Sequence, residues 1–174
     1  MMKTLVITSH PYLHQSRIIK HIENAMKHLE NVEVRNLEKI YGNNSAAFDI
    51  AKEKEAYKGV DRVVFLFPIH WFNITPMIKS YLNEVWTYGW AFGPDGHALK
   101  NKEMLIISSA GASQYTYSKQ GIIESNIEEI FTPMKASALY VGMKYTSSIV
   151  LYDAMNKTDD ELSLFTDQVI QILK

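Results

Sequence analysis

The chain reads as an α/β protein with a five-stranded parallel sheet of order 2-1-3-4-5 between two layers of helices. Three observations lead there. Short apolar runs of strand-forming residues alternate with helical patterns along the whole length. The runs near residues 4–8, 63–67 and 103–109 are almost unbroken, as in strands buried on both faces. Right-handed crossovers then leave few topologies for five such units. The 174 residues suffice for one sizeable core, so a single domain over 1–174 is expected.

The elements follow in order. TLVIT at 4–8 is a β-branched first strand. Pro11 keeps His10 out of helical geometry, and Ser16 stands at an N-cap position. Ile18, Ile19, Ile22, Met26 and Leu29 then recur at helical spacing. VEVRNL at 32–37 alternates, as a strand near a sheet edge does. Residues 38–49 are irregular, with a turn signal at Gly42-Asn43-Asn44-Ser45. A short charged helix is predicted over 50–57, with Gly59 as its C-cap. The third strand, VVFLF, ends at Pro68 and leads into Ile69-His70-Trp71-Phe72-Asn73. Pro76 opens a helix to about 86 with Met77, Ile78, Tyr81, Leu82 and Val85 inward. The glycine- and aromatic-rich stretch 87–101 has no period. A fourth strand, EMLIISS, precedes the small residues 108–113. A helix over 122–131, interrupted by Pro133, is expected to resume as far as Tyr140. A fifth strand is placed at 145–152. Thr158 and Glu161 form a capping box for a last helix with Leu162, Phe165, Val169 and Ile172 inward.

Composition narrows the function. Hydrophobic residues make up 47% and charged residues 21%, and the formal net charge of -1 offers no bulk field for nucleic acid or an anionic membrane. The absence of cysteine excludes disulfides, thiolate metal sites and a cysteine nucleophile. No run approaches ~20 apolar residues, and Lys3 leads into a strand rather than a signal segment. A cytoplasmic protein, not an integral membrane one, is expected.

Chemistry concentrates after strands one, three and four, whose carboxyl ends meet where such a sheet reverses its winding. The first loop ends at a helix start, where the N–H groups of Arg17, Ile18 and Ile19 and the Ser16 hydroxyl suit an anion; a serine there is also an ordinary cap. The aromatic loop 68–73 suits a flat, partly polar ligand, or else plugs the core. His10 and His70 fall in these loops, as ligand contacts or as backbone-bonded side chains. His21 and His28 read as solvated, and Trp86 and Trp90 as anchors of a core or an interface. The histidines show no metal spacing. GxGxxG, GxxxxGK[ST] and GxSxG are all absent.

SHPY after the first strand, FPIHWFNITPMIKSYLNEV after the third, and GWAFGPDGHALKNK further on are together specific. On these motifs the chain resembles the NAD(P)H:quinone oxidoreductase family, of flavodoxin-like fold. Small bacterial members include ancillary subunits of glutathione-gated potassium efflux systems and general-stress oxidoreductases. The likeness runs from the first strand at least to Gly121. It implies that His10 lies near the flavin phosphate–ribityl end, and that Ser16, Arg17, Ile18 and Ile19 form the phosphate loop. Ile69, His70, Trp71 and Phe72 would lie along the isoalloxazine, with Ser109, Ala110, Gly111 and Ala112 in the small-residue loop. Tyr117 matches a tyrosine that stabilises reduced flavin in mammalian relatives, and Trp71 would align the reactants. Departures from the pattern are Ile19 in place of a frequent asparagine, a single glycine after strand four, and Ile123 in place of a histidine.

The resemblance further implies FMN, with FAD the alternative, and NADPH or NADH as co-substrate. It implies hydride transfer through the flavin to a quinone or similar acceptor, in a homodimer whose interface takes in the aromatic segment 86–92. A regulatory role on a potassium efflux channel is the leading alternative. An electron carrier of the flavodoxin kind would be strongly acidic, which this chain is not.

Overall fold

The computed structural model describes residues 2–174. Five strands form one parallel sheet of order β2-β1-β3-β4-β5. They are β1 (Thr4–Thr8), β2 (Val32–Asn36), β3 (Arg62–Pro68), β4 (Glu103–Ser109) and β5 (Lys144–Leu151). The helices are α1 (Arg17–Met26), α2 (Leu37–Tyr41), α3 (Ile50–Ala56), α4 (Pro76–Val85), α5 (Ile127–Ile130), α6 (Thr132–Tyr140) and α7 (Asp159–Leu173).

The side-chain alternation of the strands builds two cores. On one face Leu5, Ile7, Val63, Phe65 and Phe67 pack against Tyr57, Ile78, Tyr81, Val85 and Phe131. On the other face Val6, Val64 and Leu66 pack against Ile18, Ile19, Ile22 and Met26 of α1 and Leu162, Val169 and Leu173 of α7. Each such side chain stabilises the fold by roughly 1.5–3 kcal/mol on burial.

Several local expectations change. Leu37–Tyr41 is helical, capped by the Asn36 side chain, which accepts from the Lys39 N–H at 2.9 Å. The helix expected over 122–131 shrinks to Ile127–Ile130, because residues 113–124 fold into consecutive turns pinned by Ser118 Oγ to the Tyr115 carbonyl and Gly121 N–H to the Ser118 carbonyl. Asn126 and Glu129 form its capping box. Pro133 sits in the first turn of α6 rather than interrupting a helix. In α7 the inward face is Leu162, Thr166, Val169 and Leu173, so Ile172 points outward. Leu82 is only half-buried, and Leu29 lies past the end of α1. Trp86 is buried with its indole N–H on the Tyr57 hydroxyl at 3.1 Å, and Trp90 meets the Tyr57 ring edge-on at 5.3 Å. Segment 86–92 is therefore mostly packed on its own fold, with Tyr88 exposed.

A polar knot ties β2 to the helices of its face. The fully buried Glu53 carboxylate accepts two bonds from Arg35, at 2.8 and 2.6 Å, and the hydroxyls of Tyr41 at 2.5 Å and Tyr81 at 3.1 Å. Truncating one partner leaves the other charge buried and unpaired. Arg35→Met should lower unfolding free energy by about 3–5 kcal/mol in urea titrations at neutral pH. Lys58→Ala, which breaks the exposed 2.5 Å pair with Glu55, should cost less than ~1 kcal/mol. Equal effects from the two substitutions would contradict this account of the knot.

Candidate functional site

Because β1 and β3 are neighbours while their connections run to opposite faces, a crevice opens at their carboxyl ends. It encloses about 380 Å³. The loop after β1 and the first turn of α1 contribute His10, Tyr12, Arg17, Ile18 and Ile19 to its wall. Pro68, Ile69 and His70 come from the loop after β3, and Ser109 and Gly111 from that after β4. Ala154 and Met155 come from the loop after β5.

At the α1 end, Ser16 does not act as the expected cap. It closes the turn Leu13–Gln15, its N–H reaching back to the Leu13 carbonyl at 3.3 Å, and its φ of -80° and ψ of 60° leave the hydroxyl without a capping bond. Its side chain lines a separate small cavity with Lys20, Glu23, Asn36 and Lys39. The N–H groups of Arg17, Ile18 and Ile19 consequently have no protein acceptor among the described residues. With the helix dipole they form a positive end that suits an anion. The Arg17 guanidinium reaches Asp159 at the start of α7, at 2.6 Å, while also lining the crevice.

The aromatic loop is a tight turn. His70 N–H donates to the Asn73 carbonyl at 3.1 Å, and Asn73 N–H to the His70 carbonyl at 3.0 Å. Trp71 and Phe72 between them have φ of 47° and 58°. Positive φ at both central positions is the sign pattern of a type I′ turn, which Asn-Gly fills with least strain. For bulky L-residues the left-handed region costs about 1–2 kcal/mol each. The turn leaves Trp71 93% exposed, next to the lining residue His70, and neither Trp71 nor Phe72 is part of the crevice lining itself. Ile69 N–H is spent on the Ser109 carbonyl at 2.8 Å, which pins this loop to the neighbouring one. The N–H groups of Trp71 and Phe72 have no protein acceptor among the described residues.

In the small-residue loop, Ala110 is buried and structural. Its N–H donates to the Leu151 carbonyl at 2.9 Å, and its carbonyl accepts from Ala154 at 3.0 Å. The Ala112 carbonyl accepts from Asp153 at 3.0 Å, while the Gly111 and Ala112 N–H groups have no protein acceptor among the described residues. A Cβ on Gly111 would meet no protein atom within 4 Å, so its open side faces the crevice. Tyr117 lies outside the crevice lining, its ring tilted against those of Phe72 and Tyr152 with ring centres 5.7 Å from each. Ala154 and Met155 carry no chemistry that sequence reading would flag. Only the rule that ligands meet the carboxyl ends of strands would have included them.

The two histidines of the crevice meet edge to face, ring centres 6.1 Å apart. His10 Nδ1 accepts the Tyr12 N–H at 3.1 Å, so its neutral form carries the proton on Nε2. Burial, and then the proximity of His70, lower the His10 pKa; burial lowers that of His70. Both rings therefore favour the neutral state at ordinary pH. Burial raises the Tyr117 pKa, keeping its hydroxyl protonated.

Comparison with known proteins agrees with this fold. Residues 2–172 match the family model described as flavodoxin-like fold. The chain is 36% identical over 162 residues to the NAD(P)H oxidoreductase YdeQ of Bacillus subtilis, covering 93% of this chain and 81% of that protein. It is 31% identical over 169 residues to the glutathione-regulated potassium-efflux system ancillary protein KefF of Salmonella typhimurium, covering 97% and 94%. Among solved structures, general stress protein 14 from Treponema denticola, in complex with FMN, superposes with a TM-score of 0.90 at 31% identity, covering 98% and 97%. The chain belongs to the flavodoxin-like fold family.

Proposed function

We propose that this protein is an FMN-dependent NAD(P)H oxidoreductase that passes two electrons to a quinone or similar acceptor. The observation that carries the reading is the row of uncapped N–H groups on Arg17, Ile18 and Ile19 at one end of the crevice. Gly111, which lines the crevice, has a free amide, as do Ala112 beside it and Trp71 and Phe72 in the turn that follows the lining residue His70. These donors fit a ligand with a phosphate at one end and a flat ring with polar edges at the other. The FMN complex of the Treponema relative and the name of the Bacillus relative support the same choice.

Bound FMN would supply the hydride chemistry, accepting from the nicotinamide and returning to the acceptor. The chain's own residues do the rest. The start of α1 holds the phosphate, with Arg17 close by. Trp71 offers an exposed plane at the rim, on which the nicotinamide and then the acceptor align. Neutral His10 and protonated Tyr117 serve as hydrogen-bond donors without adding charge. Ala154 and Met155 complete the wall on the β5 side. The ring contacts joining Tyr88, Phe92 and Tyr140 leave an aromatic patch that would suit a second copy of the chain.

A second reading is favoured by the likeness to KefF: an ancillary subunit of a potassium efflux system. Trp71 separates the two. A binding role would be untouched by Trp71→Ala, whereas turnover as an oxidoreductase would fall.

Under anaerobic conditions NADPH or NADH should bleach the flavin absorbance of the FMN-loaded protein. Trp71→Ala should lower kcat/KM by roughly 10–100-fold, the loss of about 1–3 kcal/mol of stacking, with the circular dichroism spectrum unchanged. Wild-type kinetics in that variant would contradict the role given to the loop. Trp71→Gly should be more stable to urea than Trp71→Ala by about 1 kcal/mol, since glycine relieves the left-handed strain. Equal stabilities would show that the turn is unstrained.

A further inference from the structure

Glu38 lies outside every role assigned above, yet it is only 4% exposed. It sits in α2, on the far side of the first loop from the crevice. Its Oε1 accepts the Ser9 hydroxyl at 2.6 Å, and Ser9 Oγ lies 2.5 Å from Thr75 Oγ1. Ser9 and Thr75 have no exposed surface. Ser9 precedes His10 in the first loop, and Thr75 joins the aromatic turn to α4. A buried carboxyl is thus hydrogen-bonded, through two hydroxyls, to both loops that wall the crevice. The short distances suit bonds to an ionised acceptor.

The second oxygen is unusual. Glu38 Oε2 is buried and has no hydrogen-bond partner. Glu38 lines a cavity of about 270 Å³ beneath the first loop, bounded by Pro11, Tyr12, His14, Gly42 and Asn43. No cation is paired with it among the described residues: Lys39 is turned to Glu23 at 2.6 Å, and Arg35, Tyr41 and Tyr81 are all committed to Glu53. The titratable groups nearest its surroundings are His10, next to Ser9, and Tyr12 and His14 across the cavity. Burial raises the Glu38 pKa, against the pull of the Ser9 hydroxyl and of the backbone N–H groups of His10 and Glu38.

We propose that Glu38 is a positioning residue for the flavin crevice, its ionisation state setting the direction of the Glu38–Ser9–Thr75 hydrogen-bond chain and with it the hold between the first loop and the aromatic turn. Ionised, Glu38 accepts from Ser9, and Ser9 accepts from Thr75. Once the carboxyl takes up a proton it donates to Ser9, Ser9 donates to Thr75, and the charge-assisted bonds are lost. The cost of burying an ionised carboxylate with an unpaired oxygen and no cation outweighs those bonds, so the loops are held more tightly in the protonated state and ligand affinity falls as pH rises through the Glu38 pKa. Overall stability moves the same way. The folded state binds the extra proton above the ordinary carboxylate pKa, so Glu38 lowers stability as pH rises through that window, up to its raised folded value.

The inference rests on FMN being the ligand, and its test has an arm that does not. FMN dissociation constants are measured by fluorescence quenching between pH 5 and pH 8 for wild type, Glu38→Gln and Thr75→Val. Taking the ratio of Glu38→Gln to wild type removes the titration of the FMN phosphate and of the histidines. That ratio should fall roughly fivefold or more as pH rises. Thr75→Val, which leaves Glu38 in place but cuts its link to the turn, should lack the Glu38-dependent step. In the FMN-free proteins, amide exchange in segments 9–16 and 69–75 should be slower in Glu38→Gln than in wild type, by a factor that grows with pH. A pH-independent ratio in the exchange arm overturns the inference, as does a Thr75→Val profile identical to wild type. Failure of every protein to take up FMN, with the exchange ratio still moving, would reject the flavin reading and leave the role of Glu38 standing.

Discussion

The site depends on one constraint: β1 is paired on both sides, to β2 and β3, and its five residues are all buried. A parallel sheet can place consecutive connections on opposite faces only by parting the loops at the carboxyl ends of the central strands. Here α1 goes to one face and α4 to the other, as their core partners show. The crevice is therefore a consequence of strand order. Its chemistry is mostly backbone, since the free N–H groups of the loops and of α1 are its most consistent donors. A chain without a phosphate-binding glycine signature thus still presents a row of free N–H groups at a helix start, which suits an anion.

Strain and cross-bonding shape the two aromatic and polar sides of that crevice. Trp71 and Phe72 occupy positions where a fold optimised for stability would use Asn-Gly. The gain is an exposed indole at the rim, held by a turn that the Ile69 to Ser109 bond fixes against the next loop. Beneath, the Glu38–Ser9–Thr75 chain fixes the same turn to the first loop. Loops that carry the contacts are thus bound to each other as well as to the sheet, which limits the ordering cost of binding.

The strands were legible because burial on both faces leaves an apolar run, and their limits in the sequence lie within about a residue or two of those in the structure. The capping box at Thr158 and Glu161 was equally plain. Less visible were elements without a period. Leu37–Tyr41 is too short to show one, and Ile122 and Ile123 imitate a helix while belonging to a turn. The histidines, Arg17, Ile69 and Gly111 were legible as site candidates from loop position. Ser16 was misread because a cap needs backbone angles as well as a hydroxyl, and those angles are set by the preceding turn. Glu38 was hidden for another reason: nothing in a charged, irregular segment announces that one carboxylate is buried.

In the proposed function the N-terminus of α1 anchors a phosphate while the loops hold a flat ring. The most direct measurement is a pair of fluorescence titrations, FMN against riboflavin, which differ only in the phosphate. Charge-assisted bonds from the free N–H groups at residues 17–19 predict that FMN binds tighter on the order of a hundredfold. Equal affinities, or binding of neither, would contradict the account.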